Sequence, residues 1–340
     1  MFFLYSLCVL ILLALGHIFG DINWWLATIN SFRYYLFLPL IFFLFEIFSF
    51  KKKSYIFFFI IIILCWSSFY APLNLIESIK NRSILKKINL TNQSIERGIK
   101  VLTFNSLITN KNTLAITSMI KEYDPDILFM QELDPTKAIA IQKLFKYKTY
   151  KDPNTISDIA IYSKYPITII SSGLTSLENL GKFQIASINL PNKRIFLVNI
   201  HTVSINPYDY FEDKDNVHRT YEKQKFLINK ILKSIKNNNI NPENLIIAGD
   251  FNSTEGNYIY RTLVKEAYID AYRKINFILP IFSFTFPNSL ESALNQSIQS
   301  IPFLRIDYIF SGKSFEPIKA NIIFENTDSD HNPVLVEFKY

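Results

Sequence analysis

Apolar residues crowd the first fifth of the chain in three nearly unbroken runs; behind them the pattern changes to short apolar stretches divided by polar turns. Residues 2–20, FFLYSLCVLILLALGHIFG, have roughly the 20-residue length that a helix needs to cross a hydrocarbon core. Residues 35–50 and 54–72 repeat the pattern on either side of Lys51, Lys52 and Lys53, as two crossings joined by a tight basic turn would. Residues 1–72 are therefore expected to form a membrane anchor of three transmembrane helices. Trp24 and Trp25 fall between the first two runs, at headgroup level. Glu46 comes near the end of the second run, where a carboxyl group can reach the interface. A cleaved signal peptide fits poorly, because no basic region precedes the first run and two further spans follow it.

Residues 73–98 mix Asn, Ser, Lys and Ile without periodicity and read as a connector. From residue 99 to 340 the chain alternates β-rich runs with helical spacing. KVLTFN, DILFMQ, DIAIYS, QIASINL, RIFLVNI, NLIIAGD, RIDYIF and PVLVEF are the expected strands, and 112–123 and 217–236 the expected helices. Buried strands with helices between them imply a single layered α/β domain.

Charge and cysteine usage add little to this picture. The formal net charge is +7, but much of the excess flanks the apolar runs. It suits an anionic substrate without pointing to nucleic acid. The two cysteines, Cys8 and Cys65, lie inside apolar runs, so the soluble part has neither a disulfide framework nor a cysteine metal site. The Lys51–Lys53 turn predicts a cytoplasmic loop and hence an extracytoplasmic catalytic part; Lys80, Arg82, Lys86 and Lys87 pull the other way.

The chemistry lies at the strand ends. Asn105 closes VLTFN, Glu132 follows ILFMQ, His201 follows LVNI, Asp250 and Asn252 lie in GDFN, and Asp330 and His331 lie in SDHNP, while Asp307 sits within RIDYIF. A single Asn or Asp closing a strand is ordinary turn chemistry. Six such positions in step with strands are not, because a layered α/β domain gathers strand ends at one edge.

This ordered set, with IAIYSKYPI at 159–167 and TFP at 285–287, resembles the endonuclease/exonuclease/phosphatase superfamily, which includes DNase I, abasic-site endonucleases, bacterial sphingomyelinases and inositol polyphosphate 5-phosphatases. The resemblance covers about residues 100–340, and the three-span amino terminus resembles a bacterial membrane-anchored subgroup. It implies a DNase I-like four-layer αββα sandwich that hydrolyses phosphodiester or phosphomonoester bonds with Mg²⁺ or Mn²⁺. Glu132 would be the main metal ligand, with Asn105 and Asp330 completing the set. Asp250 and Asn252 would position and deprotonate the attacking water, His331 oriented by Asp307 would face the phosphate, and His201 would donate to a phosphoryl oxygen. Either Asp250 or the His331–Asp307 pair would serve as base. The implied partners are a lipid bilayer and a phosphate-ester substrate (nucleic acid, phospholipid or inositol phosphate), with no protein partner. The competing reading is a catalytically idle binding module of the same fold; loss of a ligand position would favour it, and none is lost. Asp158 and Asp126 read as strand starts, His218 with Arg219 as a solvated or capping pair, and the apolar 276–303 stretch as a loop covering core or dipping into lipid.

Overall fold

The computed structural model describes residues 2–37, 98–155, 158–173, 180–205, 209–276, 283–288 and 303–340. The chain divides into two units, Met1–Ile95 with Gly256–Tyr258, and Glu96–Glu255 with Ile259–Tyr340.

In the first unit, α1 (Phe2–Phe19) and α2 (Trp24–Phe32) are followed by a 3₁₀ turn at Arg33–Phe37. The turn between the helices is fixed by polar groups. Asn23 caps α2 by accepting from Leu26 N at 3.1 Å, and buried Asn30 donates to Asp21 at 2.8 Å. Three separate crossings were expected here. Among the described residues, however, no single helix is long and apolar enough to cross a membrane; only the bent pair Leu7–Phe19 and Trp24–Leu36, at 116°, passes together by length and composition. The 18 residues of α1 rise about 27 Å, short of a roughly 30 Å core. Gly20, at φ 60°, follows its end. The expected second span apart from its first three residues, the third span and most of the connector lie outside the described residues.

The second unit holds β1 (Gly98–Asn105), α3 (Thr113–Tyr123), β2 (Ile127–Leu133), α4 (Pro135–Ile141), β3 (Tyr147–Lys148), β4 (Asp158–Ser163), β5 (Ile167–Gly173), β6 (Gly181–Leu190) and β7 (Lys193–Thr202). There follow α5 (Asp209–Glu212), α6 (Lys214–Asn237), β8 (Leu245–Asp250), α7 (Tyr258–Lys265), β9 (Ile269–Asp270), α8 (Ala271–Ile275), β10 (Asp307–Ser311), β11 (Glu316–Ile322) and β12 (Val334–Lys339). They form two sheets of order β11-β12-β1-β2-β4-β3 and β5-β6-β7-β8-β10-β9.

Alternation decides what each sheet buries. Ile99, Val101, Ile127, Phe129 and Ile161 of the first sheet meet Ile195, Leu197, Ile246, Ala248 and Ile309 of the second in one core. The opposite parity, Leu102, Phe104, Leu128, Met130, Ala160 and Tyr162, packs under Ile116, Met119 and Ile120 of α3 and Ala138 and Ile141 of α4. On the second sheet, α6 buries Val217, Tyr221, Leu227, Ile228 and Ile231 on its inner stripe. The result is an α/β sandwich of two sheets with helices on their outer faces. All eight strands expected from the apolar runs are present. The four not expected, β3, β5, β9 and β11, are the four sheet edges, which are short or half-exposed and so lack a strong apolar signature.

Candidate active site

One edge of the sandwich collects the carboxyl ends of β1, β2, β7 and β8 with the amino ends of antiparallel β4 and β10. Inward parity carries Asn105, His201, Asp250 and Asp307 directly to this edge, as the continuation of the rows that build the core. Gly249 lets β8 approach β7: its φ is +142°, and a Cβ there would meet Ile200 O at 1.9 Å.

Asp250 is the hub. Its Oδ2 accepts from Asn105 Nδ2 at 2.9 Å and Asn252 Nδ2 at 3.2 Å, and its Oδ1 from Asn252 N at 2.8 Å. The Nε2 atoms of His331 and His201 each stand 3.8 Å from the same Oδ2. His331 Nδ1 pairs with Asp307 at 2.9 Å, and His201 Nδ1 with Asp158 at 2.7 Å. Loop contacts hold the first pair. Thr285 Oγ1 accepts from Ile306 N and Asp307 N, Ser329 Oγ donates to Asn105 O and accepts from His331 N, and the Phe286 ring lies 5.0 Å from the imidazole.

Burial and crowded charge tune these groups. Asp250 is pushed up to about 6 by burial and the Asp307 carboxylate, against the pull of both imidazoles and Asn105. Burial opposes a charge on His331, but Asp307 and Asp250 outweigh it and hold the ring at about 10. Burial likewise opposes His201, and Asp158, Asp250 and Glu132 carry it above its ordinary value. Asp330 is raised, chiefly by burial.

Glu132, at φ +51°, accepts from Asn105 Nδ2 at 2.9 Å and Ile108 N at 2.7 Å. Nearby, Lys137 is fully buried, donates to Leu107 O at 2.6 Å, and is pushed down to about 8 by burial. Asn105 turns its amide NH₂ to Glu132 and Asp250 and its Oδ1 to Leu107 N, so it links two carboxylates.

Do these residues fit a cation? The donors are oxygen and imidazole, without sulfur. Asp307 Oδ1 and Asp330 Oδ1 are buried and have no hydrogen-bond partner among the described residues. Asp250, Asp307 and His331 offer ligand atoms within 4.8 Å of one another. Buried carboxylates without donors suit a hard divalent cation.

A profile of the Endonuclease/Exonuclease/phosphatase family matches residues 102–331, which span the whole of this edge. The chain belongs to that family. As a member it is an enzyme of phosphate-ester bonds. No curated protein matches it. Among solved structures it is similar to humanized D. rerio TDP2 (18% identity, 72% of this chain and 99% of that one, TM-score 0.52). It is also similar to a family protein of Bacteroides thetaiotaomicron (16%, 72% and 98%, 0.52) and to the mannosyl-6-phosphatase of the same organism (17%, 71% and 100%, 0.53). At these identities the likeness concerns the fold.

The residues singled out in the sequence thus meet around Asp250 and Glu132. Asp158 was missed: at the first position of β4 it resembles any strand-opening Asp, and only the fold pairs it with His201. Arg305 does not satisfy Asp307, since it turns to Glu255 at 2.9 Å and Asp270 at 3.2 Å and stacks on Tyr308. Gln224 lies buried and donates to Val203 O and Asn252 O, tying together the loops after β7 and β8. Arg219 stays exposed beside Asp213.

Proposed function

We propose that this chain is a divalent-metal-dependent hydrolase of phosphodiester or phosphomonoester bonds, tethered to a membrane by its apolar amino terminus with the catalytic unit extracytoplasmic. The observation that carries the hydrolase reading is the pair of carboxylate-backed imidazoles aimed at one buried carboxylate. Mg²⁺ or Mn²⁺, held by Glu132 and Asp330 with Asn105 orienting the Glu132 carboxylate through its amide NH₂ instead of ligating, would supply positive charge against the phosphoryl oxygens. Asp250, raised towards neutrality and steadied by Asn252, takes the proton of the attacking water. The Asp307 and Asp250 carboxylates hold the His331 imidazole above its ordinary range, which fits it to donate from Nε2 to a phosphoryl oxygen rather than to act as base. His201 donates from the other side. Charge spread over those oxygens in the transition state is met by donors already in place.

The tether rests on the three apolar runs and on the bent α1–α2 pair; the orientation rests on the Lys51–Lys53 turn. Solved relatives include D. rerio TDP2 with a single-strand DNA product and a mannosyl-6-phosphatase, so the substrate panel should span both bond types. The full chain, purified in detergent, is to be assayed with Mg²⁺ against single-stranded DNA, sugar phosphates, sphingomyelin and phosphoinositides. Hydrolysis of at least one, lost on chelation, is expected. Full activity in excess chelator would rule out the metal, and no hydrolysis of any would favour the binding-module reading. A reporter fused after Tyr340 should report an extracytoplasmic terminus.

A further inference from the structure

Strict alternation does not deliver Glu132 to the site. Met130 faces the α3–α4 layer, so two residues later Glu132 would point there too, away from Asp250. Asp158 has the same difficulty, since Ala160 and Tyr162 of its strand face that layer. Both are redirected at one place. Between Met130↔Ala160 and Leu133↔Asp158 the β2–β4 register slips, setting Gln131 and Glu132 against Ile159 alone. Glu132 takes φ +51° and Asp158 φ +77°, values that cost a non-glycine residue about 1 kcal/mol or more. A bulge of this kind re-aims side chains, but something must hold it.

Asn199, on the facing sheet, is completely buried two residues before His201. Its Nδ2 donates to Met130 O and to Ala160 O, both at 3.0 Å, the two carbonyls bordering the slip. Its Oδ1 accepts from Gln131 Nε2 at 2.7 Å, and Gln131 also touches Thr103 Oγ1. The orientation of this amide is fixed, because only an NH₂ group can satisfy two carbonyls. We propose that Asn199, braced by Gln131, is a positioning residue: it reaches across the sandwich to lock the β2–β4 bulge, and through it sets Glu132 for the metal and Asp158 for His201. This rests on the hydrolase reading above. The chemical logic is that one amide ties β2, which carries Glu132, and β4, which carries Asp158, to the strand that also carries His201, so the metal-side and imidazole-side groups share one anchor.

The test compares full-length wild type, Asn199→Leu, the milder Gln131→Met, and Thr149→Val as a structural control. Thr149 also bridges the sheets, to Gln184 at 2.9 Å, but touches no site residue. Melting temperature, Mn²⁺ affinity by calorimetry and kcat/KM on bis(p-nitrophenyl) phosphate are measured, each also in a Glu132→Gln background. Asn199→Leu should weaken Mn²⁺ binding and kcat/KM by about 10- to 100-fold, as loss of a group supporting a metal ligand does. In Glu132→Gln the further loss of Mn²⁺ affinity should shrink to less than about threefold, because the ligand that the amide positions for the metal is already impaired, while the part of the kcat/KM loss that runs through Asp158 and His201 should persist. Gln131→Met should follow in the same direction with a folded protein, and Thr149→Val should lower only the melting temperature. If Asn199→Leu and Gln131→Met lower the melting temperature while Mn²⁺ affinity and kcat/KM hold within about twofold, the positioning role is wrong. The same follows if Asn199→Leu costs an equal factor of Mn²⁺ affinity in both backgrounds. A wild type that neither binds Mn²⁺ nor hydrolyses any ester overturns the hydrolase reading instead, and the anchor falls with it.

Discussion

His331 and His201 present the same ring nitrogen to the same oxygen of Asp250, at the same 3.8 Å, yet they are supported differently. His331 and Asp307 are almost wholly buried, at 6% and 1% side-chain exposure, and Asp307 arrives by plain alternation along β10. His201 and Asp158 each keep 16% exposure, Lys182 stands 3.5 Å from Asp158, and Asp158 needs a left-handed backbone to face its partner. A dry pair holds its charge firmly because solvent cannot screen it; a wetter pair can be adjusted by neighbours and salt. The buried side is therefore the fixed half of the site and the β4 side the adjustable half.

The largest effect should come from the fixed half. His331→Ala is expected to lower turnover at least about 100-fold, the lower range of what an acid/base group supplies. Saturating Mg²⁺ should leave that loss in place while largely restoring Glu132→Gln. Equal rescue of both would erase the division between proton chemistry and metal binding. Next, Asp307→Asn should cost more in kcat/KM than Asp158→Asn, which should stay within about 10- to 100-fold. Equal losses would break the asymmetry.

A third, smaller effect is on stability. Both imidazoles are held above the ordinary 6.5, so their charge stabilises the fold in full below that unfolded value, and the contribution fades as pH rises through the folded value, about 10 for His331. In chelator, melting temperature should fall between pH 7 and 10 more steeply for wild type than for His331→Gln; parallel curves would mean that the pair holds no such charge. Smallest of all, Lys182→Met should change kcat/KM by less than about fivefold, the limit for an exposed ion pair of about 1 kcal/mol, and only at low salt. A larger, salt-independent change would place Lys182 in the fixed half.

The same contrast explains what could be read in advance. Asn105, His201, Asp250 and Asp307 continue apolar rows whose period of two is visible in the letters, so their place at one edge followed from pattern alone. Asp158 carries no such mark, and Lys137 looks like any helical lysine until the loop at Leu107 closes over it. Asn199 reads as one polar residue in a core strand, with nothing local to say that its partners are two backbone carbonyls on another sheet.

The sequence by itself determined the central strands, the two long helices of the catalytic unit, the family and the set of groups that meet at the strand ends, because apolar periodicity and strand-end chemistry are written in consecutive residues. The tertiary structure alone decided the edge strands, the bent α1–α2 pair where a first crossing followed by a loop was expected, the Asp158 partner of His201 and the bulge that turns Glu132 inward. These depend on which backbones come to lie beside one another and on which carbonyls lose their ladder partners, and neither is encoded within any one segment of chain.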